Sequence, residues 1–102
     1  MAKIVSKTLK FPGSSSVDVA GYKLYFIEAP AELTYDSPSI NLNMKMEVDL
    51  STVAAGEEGI FNLGVTAYDA VGNESDMSVV TAVPLDFIAP NAPGALEIVQ
   101  AG

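Results

Sequence analysis

The stretch INLNMKMEVDL (40–50) alternates without a break: Ile40, Leu42, Met44, Met46, Val48 and Leu50 share one parity, and Asn41, Asn43, Lys45, Glu47 and Asp49 the other. Successive side chains of a strand point to opposite faces, so a period of two turns the apolar set to a core and the polar set to water. A helix would scatter the same residues around its circumference. The reading is one strand over 40–50, which commits the chain to a sheet with a buried face.

Working outward, Phe61, Leu63, Val65 and Ala67 alternate with Asn62, Gly64, Thr66 and Tyr68, and TVAAGEEG (52–59) between the two strands reads as a loop. GYKLYFIE (21–28) predicts a third strand with Tyr22, Leu24 and Phe26 on one face and Lys23 and Tyr25 on the other. The opening segment places Val5, Leu9 and Phe11 on one parity before the turn residues of PGSSSVD (12–18). DMSVVTAV (76–83) is rich in β-branched residues, and ALEIV (95–99) alternates Leu96 and Ile98 after the Pro-rich stretch 84–94. APAELTYDSPS (29–39) reads as a long loop or a short edge strand limited by Pro30 and Pro38. Short strands separated by turn clusters, without helical periodicity, predict an all-β antiparallel sandwich of about seven strands. Its expected core holds Val5, Leu9, Phe11, Tyr22, Leu24, Phe26, Met44, Met46, Phe61, Leu63 and Val65.

The 102 residues suit one domain, spanning 1–102, with a sandwich over 5–83, a linker over 84–94 and a last strand over 95–99. The chain has no His, Cys, Trp or Arg. The commonest general base, the thiolate nucleophile and Cys-based metal sites are therefore excluded, and with them most catalytic mechanisms. Five lysines give no phosphate-binding patch, so nucleic acid is not an expected partner. All five lie in residues 1–45, whereas 46–102 carry nine acids and no base. That acidic half reads as a solvated surface, or as a face for a cation. No signal peptide and no membrane-spanning run is visible, which leaves a cell-surface, virion or cytoplasmic location open.

Asp69, Asn73, Glu74 and Asp76 bring oxygen ligands to one turn, but their spacing does not match a calcium-binding loop. A hairpin turn shaped by Gly72 and Asn73 accounts for the same residues, so neither metal nor cofactor is expected. Glu57 and Glu58 form a carboxylate pair in a loop without an evident cleft. Ser14, Ser15 and Ser16 lack an activating base. Tyr25, Tyr35 and Tyr68 are expected to face outward, and exposed aromatics suit a carbohydrate or small-ligand platform.

GYKLYF (21–26) and GIFNLGVTAYDAVGNES (59–75) resemble the third and sixth strands of a fibronectin type III domain of the bacterial kind, an immunoglobulin-like sandwich. KTLKFP (7–12) resembles its second strand, with Phe11 where the family has a core Trp. The tyrosine-corner position falls on Phe61, which can contribute only packing. The resemblance covers residues 5–83 in order, and APNAPGALEIV (89–99) looks like the family's first strand displaced to the carboxyl end. It implies a non-catalytic structural or adhesion module whose partners are proteins. Further copies of itself, met through Leu96 and Ile98, are one candidate partner that the displaced strand raises. Eleven extended residues (84–94) reach at most roughly 36–40 Å, and a strand of 7–10 residues spans about 23–34 Å, so closure onto the same chain leaves little slack. Closure in cis, strand exchange between copies, and a fragment of a longer array all remain open.

Overall fold

Six strands follow one another in a computed structural model that describes residues 2–52 and 58–100: β1 (Thr8–Lys10), β2 (Gly21–Glu28), β3 (Ser39–Asn43), β4 (Glu47–Asp49), β5 (Glu58–Tyr68) and β6 (Ser78–Asp86). A 3-10 turn, Leu50–Thr52, follows β4. The strands form two antiparallel sheets, one of two strands (β1-β4) and one of four (β3-β2-β5-β6). The protein is thus an all-β sandwich.

β2 and β5 form the spine, paired from Gly21↔Tyr68 to Glu28↔Phe61. Their inward parity carries Tyr22, Leu24, Phe61 and Leu63, all buried, and the two-stranded sheet covers this face with Leu9 and Val48. Leu42, Leu50, Leu85 and Phe87 close the core from the ends. Phe11, half-buried, meets Tyr22 edge-on with ring centroids 5.2 Å apart, an aromatic geometry favoured by the ring quadrupoles. Gly21 is required where it stands, because Tyr68 from the opposite strand lies across it and the Asn43 carbonyl would be 2.9 Å from a β-carbon.

The strand expected over 40–50 is broken. β3 belongs to the large sheet and β4 to the small one, and the chain crosses between them at Met44–Met46. Asn43 adopts a positive φ of 55°, and the Lys45 amide closes a turn on the Leu42 carbonyl. Met44 and Met46 lie in the crossing, and they are 57% and 48% exposed rather than in the core. Val5 is likewise outside the core, in a segment that precedes β1 and pairs with no strand.

The linker also begins later than 84. Pro84, Leu85 and Asp86 extend β6, and Phe87 is buried. Pro84 is tolerated because β6 is an edge strand whose outer side has no ladder. Both edges of the large sheet are irregular: β6 has a bulge opposite Phe61/Leu63 with Ala82 at positive φ, and the β2–β3 register shifts at Tyr22/Lys23. Such features discourage pairing with another chain.

Residues 87–100 form no strand, since a strand has no hydrogen bonds of its own and needs a partner ladder. Phe87 is held in the core, and the residues after it project from the sandwich. The radius of gyration is 19.1 Å where a compact chain of this length has about 13 Å, and the longest dimension is 76 Å. No helix among the described residues is long and apolar enough to cross a membrane.

Candidate functional site

β1 pairs with β4 on one side only, with Thr8↔Asp49, Leu9↔Val48 and Lys10↔Glu47 in register. Just outside the strand, Phe11 N–H donates to the Met46 carbonyl and Leu50 N–H to the Lys7 carbonyl. Antiparallel ladders alternate, so with Lys7 and Phe11 bonded to the β4 side, the N–H and C=O groups of Thr8 and Lys10 point to the open edge. Among the described residues no strand lies along that edge.

Beside it runs a groove of about 170 Å³, lined by Leu9 and Phe11 of the β1 segment, Leu63 and Val65 of β5, and Val79 and Val80 of β6. The lining is apolar apart from Ser78. An apolar cavity of roughly 150 Å³ admits a benzene-sized group, so this groove has room for a branched aliphatic side chain. Val79 and Val80 are about half exposed, at 52% and 45%.

Leu96 and Ile98, the interaction residues expected from the sequence, lie in the projecting tail and are 94% and 100% exposed. No contact of the isolated chain explains their alternation. The structure therefore places an unpaired edge with an apolar groove beside it, and an apolar strand-like segment that lies exposed, in one molecule.

The tyrosines are arranged differently from the expectation. Tyr25 is only 2% exposed although it faces away from the main core. The chain over 29–38 and the turn after β5 fold across the outer face of β2 and β5, and Tyr35 meets Tyr25 edge-on at 6.0 Å. Tyr35 itself is half exposed and donates its hydroxyl to the Ser75 carbonyl (2.9 Å). Tyr68 is half-buried; its hydroxyl donates to Asn41 Oδ1, and Lys23 Nζ sits 5.6 Å from its ring centre. The three rings do not present one flat platform.

Glu74 is the unforeseen centre of this outer layer. Its carboxylate accepts hydrogen bonds from the hydroxyls of Tyr25 (2.5 Å) and Thr66 (2.8 Å), and Lys23 Nζ lies 3.7 Å from its second oxygen. The Tyr25 hydrogen bond, helped by Thr66 and Lys23, holds the Glu74 carboxyl below its usual range. Burial, reinforced by the neighbouring Glu74 charge, pushes the Tyr25 hydroxyl up to about 12. The outward parity of Tyr25 and Thr66 in the sequence concealed this, because parity names a face but not what covers it.

The other turn carboxylate is also committed. Asp69 accepts from the backbone amides of Val71, Gly72 and Asn73 and from the Asn73 side chain. The Asn73 bonds foremost lower its pKa. These bonds shape the hairpin turn, in which Gly72 takes a φ of 104°. Asp69, Asn73, Glu74 and Asp76 do not converge as a ligand set, and no cluster of three or more metal-binding side chains occurs among the described residues. Glu58 is exposed at the start of β5, while Glu57 lies outside the described residues. Ser14 and Ser16 line a cleft with Tyr68, Asp69 and Asn73; Ser14 Oγ accepts the Ser16 amide. No described protein family, curated protein or solved structure matches the chain.

Proposed function

We propose that this chain is a non-catalytic, fibronectin type III-like structural or adhesion module that assembles through strand addition. The reading rests on the open β1 edge beside an apolar groove, together with a tail of strand-like pattern that has no partner in its own chain. Strand addition supplies main-chain hydrogen bonds for affinity and side-chain pockets for specificity, and both elements are present here. The sheet pairing supports the resemblance: β1-β4 and β3-β2-β5-β6 are the pairings expected when the family's first strand is absent from its place beside the second. The carbohydrate platform finds no support, because Tyr25 is buried and the hydroxyls of Tyr35 and Tyr68 are engaged inside the molecule.

A chain ended after Ile88 tests the reading, since it keeps Leu85 and Phe87 in the core and removes the projecting segment. The full chain should show concentration-dependent association by sedimentation, and the shortened one should stay monomeric, with the same urea midpoint as the full chain at low protein concentration. Equal behaviour of the two would overturn the proposal.

A further inference from the structure

We propose that the groove between β1 and β6 receives residues 95–99 of a second copy, antiparallel to β1 and with Glu97 opposite Lys10. The inference rests on the strand-addition reading and adds the occupant, its direction and its register.

Parity selects which side chains enter. Placing Leu96 and Ile98 toward the groove leaves Glu97 and Val99 outward, whereas the opposite parity would bury the Glu97 charge among Leu9, Phe11, Val79 and Val80. With Glu97 opposite Lys10, Leu96 falls opposite Phe11, Ile98 opposite Leu9 and Val99 opposite Thr8. The hydrogen-bonded pairs of this register are then Glu97–Lys10 and Val99–Thr8, which uses the outward main-chain groups of Thr8 and Lys10.

Charge selects the edge. Lys7 precedes β1 and Lys10 ends it, whereas β4 carries Glu47 and Asp49, of the same sign as Glu97. Lys10 already lies 3.7 Å from Glu47 across the β1–β4 pair, so Glu97 would complete a row of alternating charges on the solvent face.

Reach selects a second copy. Lys7 Nζ donates to the Pro84 carbonyl at one end of the groove, and Phe11 lines it with Ser78 at the other, so β1 and β6 run in opposite directions. A strand antiparallel to β1 therefore runs the same way as β6. The chain's own tail leaves at Phe87, beyond the Pro84 end, and must climb back to the Ser78 level before Leu96 can enter. That climb repeats the rise of β6 from Ser78 to Phe87, about 30 Å, and the steps from Phe87 to Leu96 span at most roughly 30–32 Å with a reversal still to be made. The tail of another molecule has no return to make. Each copy then gives one strand and takes one, a head-to-tail contact that builds an open chain unless its rotation closes.

The full chain carrying Lys10→Cys and Glu97→Cys tests this, because there are no native cysteines and both positions are exposed. Oxidation should give a ladder of covalent multimers on a denaturing gel, at least tenfold more than the register-shifted pair Thr8→Cys and Glu97→Cys gives. A cross-linked monomer would overturn the second copy while leaving strand addition standing. Equal yields from both pairs, or no cross-link while the chain ended after Ile88 loses association, would overturn the register alone. No cross-link and no effect of the shortening would overturn both readings. Without cysteines, Lys10→Glu should weaken association about five-fold, and Glu97→Lys in the same chain should restore it.

Discussion

Leu24→Ala is expected to remove about 2–5 kcal/mol of folding stability, the cost of deleting a fully buried leucine and leaving a cavity. Leu24 is 0% exposed and sits at the middle of the large sheet, with Ile40 beside it in β3 and Val65 in β5. Its side chain points to the small sheet, so the gap opens between the two layers, where flanking strands cannot collapse without losing their ladders. A domain of this size has a total stability of about 5–15 kcal/mol, so the loss is a large fraction of the whole. Urea unfolding at low protein concentration should show a lower midpoint with an unchanged slope. Leu96→Ala under the same conditions should show no shift, since Leu96 is almost fully exposed in the single chain. A shift of less than about 0.5 kcal/mol for Leu24→Ala, the range of ordinary surface changes, would contradict the packing described for this core.

Glu74→Ala should cost a comparable amount, about 2–6 kcal/mol, by a different route. The substitution strands the hydroxyls of Tyr25 and Thr66, both almost fully buried, and an unpaired buried polar group costs about 1–3 kcal/mol. Tyr25→Phe removes one donor but leaves Glu74 its bonds to Thr66 and Lys23, so its loss should be about 1 kcal/mol. The double variant should lose less than the two single losses together, because once Tyr25 is replaced by phenylalanine there is no hydroxyl there for Glu74 to satisfy. Additive losses would show that the Tyr25–Glu74 hydrogen bond does not form in solution.

The same pair contributes to the decline in stability at both ends of the pH range. Glu74 has a folded pKa below its unfolded value of roughly 4.3, so its stabilisation is complete above that pH and is lost as the pH falls through the folded value. Tyr25 is the reverse case: its contribution is whole below roughly 10 and is lost as the pH rises toward about 12. Thermal melting across both limits should show each decline. The alkaline one should weaken in Tyr25→Phe, while the acid one persists in part through Asp49 and Asp69, whose pKa values are also lowered.

The sequence reading and the structure agree most closely where a strand has one dry face against a regular neighbour. GYKLYFIE (21–28) is β2 residue for residue, and the inward parity of Phe61 and Leu63 holds in β5. The unbroken alternation of 40–50 was less informative. A period of two persists through a crossing from one sheet to the other, and only the backbone turn at Asn43 marks the break. Asn is among the residues that tolerate positive φ, so a weak signal was present there. The Glu74 cluster was hidden for another reason. It depends on a loop before β3 and a turn after β5 meeting over one face, a long-range event with no local pattern. The interaction residues Leu96 and Ile98 were visible by their alternation, but the groove they are proposed to fill is assembled from β1 and the β5–β6 pair, which lie far apart in sequence.

The irregular edges of the large sheet have a consequence for the proposed assembly. Pro84, the bulge at Ala82 and the register shift near β3, together with the acidic residues of β4, leave β1 as the edge suited to accept a strand, which gives each molecule a valence of two. Units of that valence polymerise without branching. A copy ended after Ile88 keeps the acceptor and lacks the donor, so it acts as a chain stopper. Mixing it with the full chain should shorten the polymers in proportion to its mole fraction, as monofunctional monomers do in a step-growth reaction.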